Sequence, residues 1–240
     1  MIHAPFMKPI IGATGTTLKT GLVSVWEMNK TTGIIMCDSH ASNDGDIIGS
    51  TINQTGKLDK AYDFTPTGEY VKLDSFTMLP SATTTSWSFW VYPEVLSGGT
   101  TFSTTNPRYL INEYGTNFTY IRLLGDIFDV GVTNGTYKTA RSASGLISAN
   151  EWVHLVAVVI PSAKAKLYIN GSLVSNSTKD DTFPATWTTK TRADIGGSAY
   201  YGHRYFDGLL DQTAVWSKEL TTKEIATLNN SNNGLAYVNW

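Results

Sequence analysis

Two stretches of this 240-residue chain hold side chains able to bind something. The segment SAYYGHRYFDG places Tyr200, Tyr201, His203, Arg204 and Tyr205 in a glycine-bounded loop, and Asp181 and Trp187 precede it. Sugars present CH faces that stack on aromatic rings and hydroxyls that need planar polar partners, so this set reads as a glycan surface. The competing reading is that the rings pack the edge of a sandwich or a neighbouring subunit. The second stretch is the glycine-containing loop with Asp38, Asn43, Asp44 and Asp46. A hard cation such as calcium takes about six to eight oxygens from such groups. The same residues also populate turns because they hydrogen-bond their own backbone.

Other chemistries find no residues to carry them. Glycoside hydrolysis needs two carboxylates flanking one bond. Glu69, Glu94, Glu113 and Glu151 stand alone, and the adjacent Asp180 and Asp181 read as loop residues. His3, His40, His154 and His203 show neither metal-ligand spacing nor a serine or cysteine partner motif. Phosphate loops, zinc patterns and nucleic-acid motifs are likewise missing from the sequence. A binding protein is expected, not an enzyme.

The element that must position these residues runs from Glu151 to Val174. Trp152 to Ile160 is apolar at nearly every position, as in an interior strand covered on both faces. After Pro161 the pattern alternates, with Ala165, Leu167 and Ile169 expected in the core and Lys164, Lys166, Tyr168 and Asn170 in solvent. Asn170-Gly171 supplies the two positive-φ residues of a type I′ turn. The antiparallel sheet so formed requires a second layer. Further strands are expected in GLVSVWEMN, on both sides of a Pro66–Gly68 turn, in WSFWVYP, YLINEYG, TYIRLLG, IFDVGVTNGTYK, RADIGGS and YFDGLLDQTAVWSKEL. Asn176 to Lys190 reads as a polar connection. One short helix is expected over Thr221 to Leu228, capped by Thr221 or Thr222 with Glu224 early and Ile225 and Leu228 on one face. Residues 1–20 read as an N-terminal arm and 21–240 as a single all-β domain, an antiparallel two-sheet sandwich of the jelly-roll kind.

Composition agrees with this architecture. The chain is 41% hydrophobic and 12% aromatic but only 16% charged, with a net charge of -2, so nothing draws it generally to nucleic acid or anionic lipid. A single cysteine, Cys37, excludes an intrachain disulfide and reads as a small buried thiol. No apolar run is long enough to span a membrane, and MIHAPFMKP does not look like a secretory signal, which points to folding in a cytoplasm. The sequons at Asn117, Asn134, Asn170 and Asn176 read as turn chemistry.

The ordered set GLVSVWEMN, DSHASNDG, KLDKAYDFTPTGEYVKL, WSFWVYP, EWVHLVAVV with KLYINGSLV, and ADIGGS before YFDGLLDQTAVWSKELTTKEI resembles the concanavalin A-like jelly roll. The resemblance is closer to the laminin-G-like and pentraxin-like domains of bacteria and their phages, and it covers about Gly21 to Leu235. It implies a mostly non-catalytic binder of glycans or proteins. It also implies calcium at Asp38, Asn43 and Asp211, although the family's common Asp-Glu pair is Asp211-Gln212 here. It further implies a phage virion surface protein, such as a capsid decoration or fibre domain that docks through the arm and displays a glycan-binding jelly roll. The alternatives are an extracellular lectin-type module of a bacterial protein and, least favoured, a glycoside hydrolase. Monomers and homo-oligomers are equally compatible with the sequence.

Overall fold

The structure is a computed structural model that describes residues 17–96, 108–115, 119–174, 176–202 and 204–240. Strands form where apolar and polar residues alternate and where an apolar run is covered on both faces. In chain order they are β1 (Leu22–Trp26), β2 (Ile35–Met36), β3 (Gly45–Ile48), β4 (Thr51–Thr55), β5 (Lys60–Phe64), β6 (Tyr70–Asp74) and β7 (Thr85–Pro93). They continue as β8 (Arg108–Glu113), β9 (Tyr120–Leu124), β10 (Ile127–Thr133), β11 (Tyr137–Ser142), β12 (Val153–Val159) and β13 (Lys166–Ile169). The last are β14 (Ser172–Val174), β15 (Asn176–Asp180), β16 (Arg192–Ile195) and β17 (Gly208–Trp216), followed by helix α1 (Thr222–Asn229).

All pair antiparallel in two sheets, the two-layer sandwich expected from the sequence. The first runs β14-β13-β12-β7-β17-β5-β4, with β1 also on β17; the second runs β15-β11-β10-β9-β8-β16-β6-β3-β2. The Pro66–Gly68 turn therefore does not close a hairpin. It carries the chain from β5 in the first sheet to β6 in the second.

Side chains from both sheets meet in one core containing Tyr62, Phe64, Leu73, Phe89, Ile121, Phe128 and Leu155. Trp26 stacks on Trp87 at 6.0 Å, and Trp87 on Phe89 at 5.6 Å. Each buried indole also needs an acceptor for its N–H. Trp87 Nε1 donates to the Met78 carbonyl at 2.9 Å and Trp26 Nε1 to that of Asn43 at 2.7 Å.

The hairpin at the centre forms as its pattern dictates. In β12, Val153, Leu155, Ala157 and Val159 enter the main core while Val156 and Val158 face the other way. Asn170 and Gly171 take φ of 50° and 80°. The expected wet face of β13 differs from the finding. Tyr168 is buried, because Val156, Val158, Tyr168, Ala214 and Trp216 form a second apolar cluster beneath α1, with Leu220, Ile225, Leu228 and Trp240. Helix α1 starts at Thr221 with a capping box: the Thr221 hydroxyl accepts from Glu224 N, and the Glu224 carboxylate accepts from Thr221 N.

Other expectations change as well. Asn176–Asp180 is strand β15, paired with β11. Cys37 is exposed rather than buried, since Met36 takes the inward position beside it. At the end of the expected arm, Leu18 is buried under β17 and its carbonyl accepts from Trp216 Nε1 at 2.6 Å. His154 is internal. Its ring stacks on Trp90 at 4.9 Å, Nε2 meets Ser88 Oγ at 2.9 Å, and burial lowers its pKa to about 3.

Candidate functional site

Alternation fills the core with one face of β8 to β11 and leaves the opposite face to polar and aromatic residues. Ile121, Leu123, Phe128 and Val130 point inward, so Tyr120, Arg122 and Asp129 point out. Register then aligns residues far apart in sequence. Tyr109 pairs with Arg122, Arg122 with Asp129, and Asp129 with Arg141, a row across β8, β9, β10 and β11. A second row joins Tyr120, Gly131 and Thr139.

Asp129 is the pivot of the first row. Its fully buried carboxylate meets Arg122 Nη2 at 2.7 Å and Arg141 Nε at 3.2 Å. Arg122 in turn donates from Nη1 to the Tyr109 hydroxyl at 3.4 Å and from Nη2 to that of Tyr120 at 3.3 Å, while lying 4.1 Å from the centre of the Tyr120 ring. Burial alone would lower the Arg122 pKa, but the Asp129 carboxylate holds it above its ordinary value. Burial raises the Tyr109 and Tyr120 phenols, so both stay neutral and can donate. In the second row Gly131 has to be glycine for a reason of space. A Cβ there would sit 2.5 Å from the Tyr120 ring, which lies over the strand.

The outer rim comes from β15 and the loop before β17. Thr139 N donates to Asp181 Oδ2 at 2.9 Å. Arg204 Nη1 donates to the Tyr109 hydroxyl at 2.8 Å, and its guanidinium lies 3.8 Å over the Tyr201 ring. Together these groups enclose a cavity of about 370 Å³, lined by Tyr109, Tyr120, Arg122, Tyr137, Thr139, Arg141, Lys179, Asp181, Tyr201 and Arg204. Rings supply stacking faces, and guanidinium, ammonium, hydroxyl and carboxylate groups surround them.

Of the expected glycan residues, Asp181, Tyr201 and Arg204 meet in this cavity. Tyr200 stands outside the lining, edge-on to Tyr201 at 5.1 Å and to Tyr114 at 5.4 Å. Two expected residues face elsewhere. Trp187 is in the main core with Nε1 donating to the Leu79 carbonyl at 2.8 Å, and buried Tyr205 stacks on Tyr70 at 6.4 Å. His203 lies outside the described residues. The sequence reading missed Tyr109, Tyr120, Arg122, Tyr137, Thr139, Arg141 and Lys179. The signal was present as Tyr120 with Arg122, and Tyr137, Thr139 and Arg141, at spacings of two on β9 and β11, the strands either side of β10.

The residues expected to hold calcium do not fit the ion. Asp38 Oδ1 accepts from the amides of Val25, His40 and Ala41, and Oδ2 from that of Asn43. Burial opposes this ionised form, but those hydrogen bonds outweigh it and hold the Asp38 pKa below its usual value. The Asn43 side chain donates to Ser24 Oγ at 2.7 Å. Asp211 is bonded elsewhere, to Leu58 N at 2.7 Å, and burial pushes its carboxyl up to about 7. Among the described residues no three His, Cys, Asp or Glu side chains converge as a metal set. In the cavity, both Asp129 oxygens are engaged by guanidiniums.

A two-sheet antiparallel sandwich carrying such a cavity on one outer face defines a jelly roll of the lectin type. The chain belongs to the concanavalin A-like lectin/glucanases superfamily, whose laminin-G-type family model matches residues 65–226. No curated protein sequence matches it significantly. Among solved structures it is similar to domain 4 of AbnA, an extracellular arabinanase from Geobacillus stearothermophilus, in complex with arabinotriose. There the identity is 18% and the TM-score 0.62, over 89% of this chain and 98% of that one. It is also similar to the binding domain of Paraclostridial Mosquitocidal Protein 1, at 17% identity and TM-score 0.67, over 90% of this chain and 53% of the other. A third is the binding domain of botulinum neurotoxin DC in complex with rat synaptotagmin II, at 13% identity and TM-score 0.65, over 88% and 52%. The chain thus spans about half the length of the toxin binding domains it resembles.

Proposed function

We propose that this protein is a carbohydrate-binding module that holds a saccharide in the cavity on the outer face of β8 to β11. The observation carrying the reading is the convergence of four tyrosine rings, Tyr109, Tyr120, Tyr137 and Tyr201, with hydrogen-bonding side chains around about 370 Å³. That volume lies within the range of small-ligand sites, and rings beside planar polar groups match the two kinds of surface a sugar presents. A domain of similar fold and extent solved with arabinotriose supports the reading without assigning that sugar to this chain. The test is a glycan array followed by calorimetry on any sugar retained. Binding that weakens about tenfold in Tyr201→Ala supports the site; a blank array with folded protein overturns it.

The placement on a phage virion rests on the family resemblance alone. Co-sedimentation of the protein with particles would support it, and a protein found only free would refute it.

A further inference from the structure

Resting on the saccharide reading, we infer that the cavity selects an acidic sugar, one bearing a carboxylate or a sulfate, and that Arg204 is the residue that reads the charge. Arg122, Arg141, Arg204 and Lys179 stand at the cavity against the carboxylates of Asp129 and Asp181, a local excess of two positive charges in a chain whose net charge is -2. The cations are not equivalent. Arg122 is bound in place by Asp129 and two tyrosine hydroxyls, and Arg141 shares the same carboxylate. Arg204 is different: among the described residues no carboxylate lies within ion-pair distance of it, and its one hydrogen bond runs from Nη1 to Tyr109. Its Nε is buried without an acceptor.

The Nε is out of reach of an incoming ligand, so recognition falls to the outer Nη groups of the guanidinium. Stacking on Tyr201 occupies the face of the guanidinium and leaves its N–H edge to recognise a planar or tetrahedral anion in bidentate fashion. A neutral sugar fills the same space and stacks on the same rings but leaves the charge excess uncompensated.

The experiment is calorimetric titration with matched pairs: oligogalacturonate against its full methyl ester, and sulfated galactan oligosaccharide against its desulfated form. At least one acidic member should bind about tenfold or more tightly than its neutral twin, a gap that narrows as salt is added. The pair that shows the gap identifies carboxylate or sulfate. Arg204→Gln should close the gap while melting at the wild-type temperature. Neutral twins that bind as tightly as the acids, or an acidic preference that survives in Arg204→Gln, overturn this inference and leave the saccharide reading standing. No binding by either member of any pair overturns this inference, and the saccharide reading then stands or falls on the glycan array.

Discussion

Charge at this site is organised by one buried carboxylate. Asp129 on β10 separates the guanidiniums of Arg122 and Arg141 on the two flanking strands. Removing only the anion leaves two partly buried cations uncompensated, so Asp129→Asn should destabilise the fold by about 3 kcal/mol, read by chemical denaturation. Buried carboxyls elsewhere set the pH response. Burial pushes Glu113 and Asp211 up to about 7, so the native state binds more protons than the unfolded chain between the ordinary carboxylate range and about 7. On their account stability should fall as pH rises through that window, with buried His154, whose pKa is lowered to about 3, acting in the opposite sense below its ordinary value. Asp38 acts in the opposite sense, since its lowered pKa makes its contribution disappear only in acid. Asp211→Asn keeps an acceptor for Leu58 N and removes the charge. Thermal melts between pH 5 and 8 should decline less in this variant, and an unchanged slope would rule Asp211 out as a cause. Gln212 makes a pair of hydrogen bonds specific to a neutral amide. Its Nε2 donates to the Leu235 carbonyl and its Oε1 accepts from Tyr237 N, a pairing that an ionised glutamate cannot make.

Strands and turns were legible in the sequence wherever the signal was local. Asn170-Gly171 and the Thr221 to Glu224 cap are chemistry within four residues, and the structure keeps both. Strand β12 was legible because every position but His154 is apolar. The burial of Tyr168 was not, because the helix covering it lies far along the chain. The site was hidden for the same reason. Tyr109, Arg122, Asp129 and Arg141 become neighbours only when the register of consecutive strands is known, and each alone looks like an ordinary outward residue. Trp187 misled because a large aromatic beside polar residues resembles a sugar platform, yet the Leu79 carbonyl satisfies its N–H inside the core. Register also makes Gly131 a test of the row. Gly131→Ala should displace the Tyr120 ring and weaken saccharide binding several-fold, with the far-UV circular dichroism spectrum unchanged. Wild-type affinity in this variant would show that Tyr120 does not shape the site.

Over the whole molecule, the sandwich separates stability from recognition. The face of the first sheet away from the core is closed by α1, Trp240 and Leu18, while that of the second sheet carries the cavity. The two-layer architecture and the superfamily were readable from the order of strand chemistries; the location of the cavity required both sheets to be assembled. The covered face also defines where the chain can be trimmed. Relative to a chain lacking residues 1–16, deleting 1–20 also removes Leu18, whose carbonyl is the acceptor of Trp216 Nε1, and should lower the melting temperature by several degrees. Equal melting of the two truncations would show that Leu18 does not contribute. The account as a whole depends on a saccharide occupying the cavity. Calorimetry on a sugar retained by the array, run with wild type and Tyr201→Ala at matched thermal stability, tests this most directly. The account predicts about a tenfold loss of affinity in the variant; equal affinity in the two proteins would place the sugar elsewhere and contradict it.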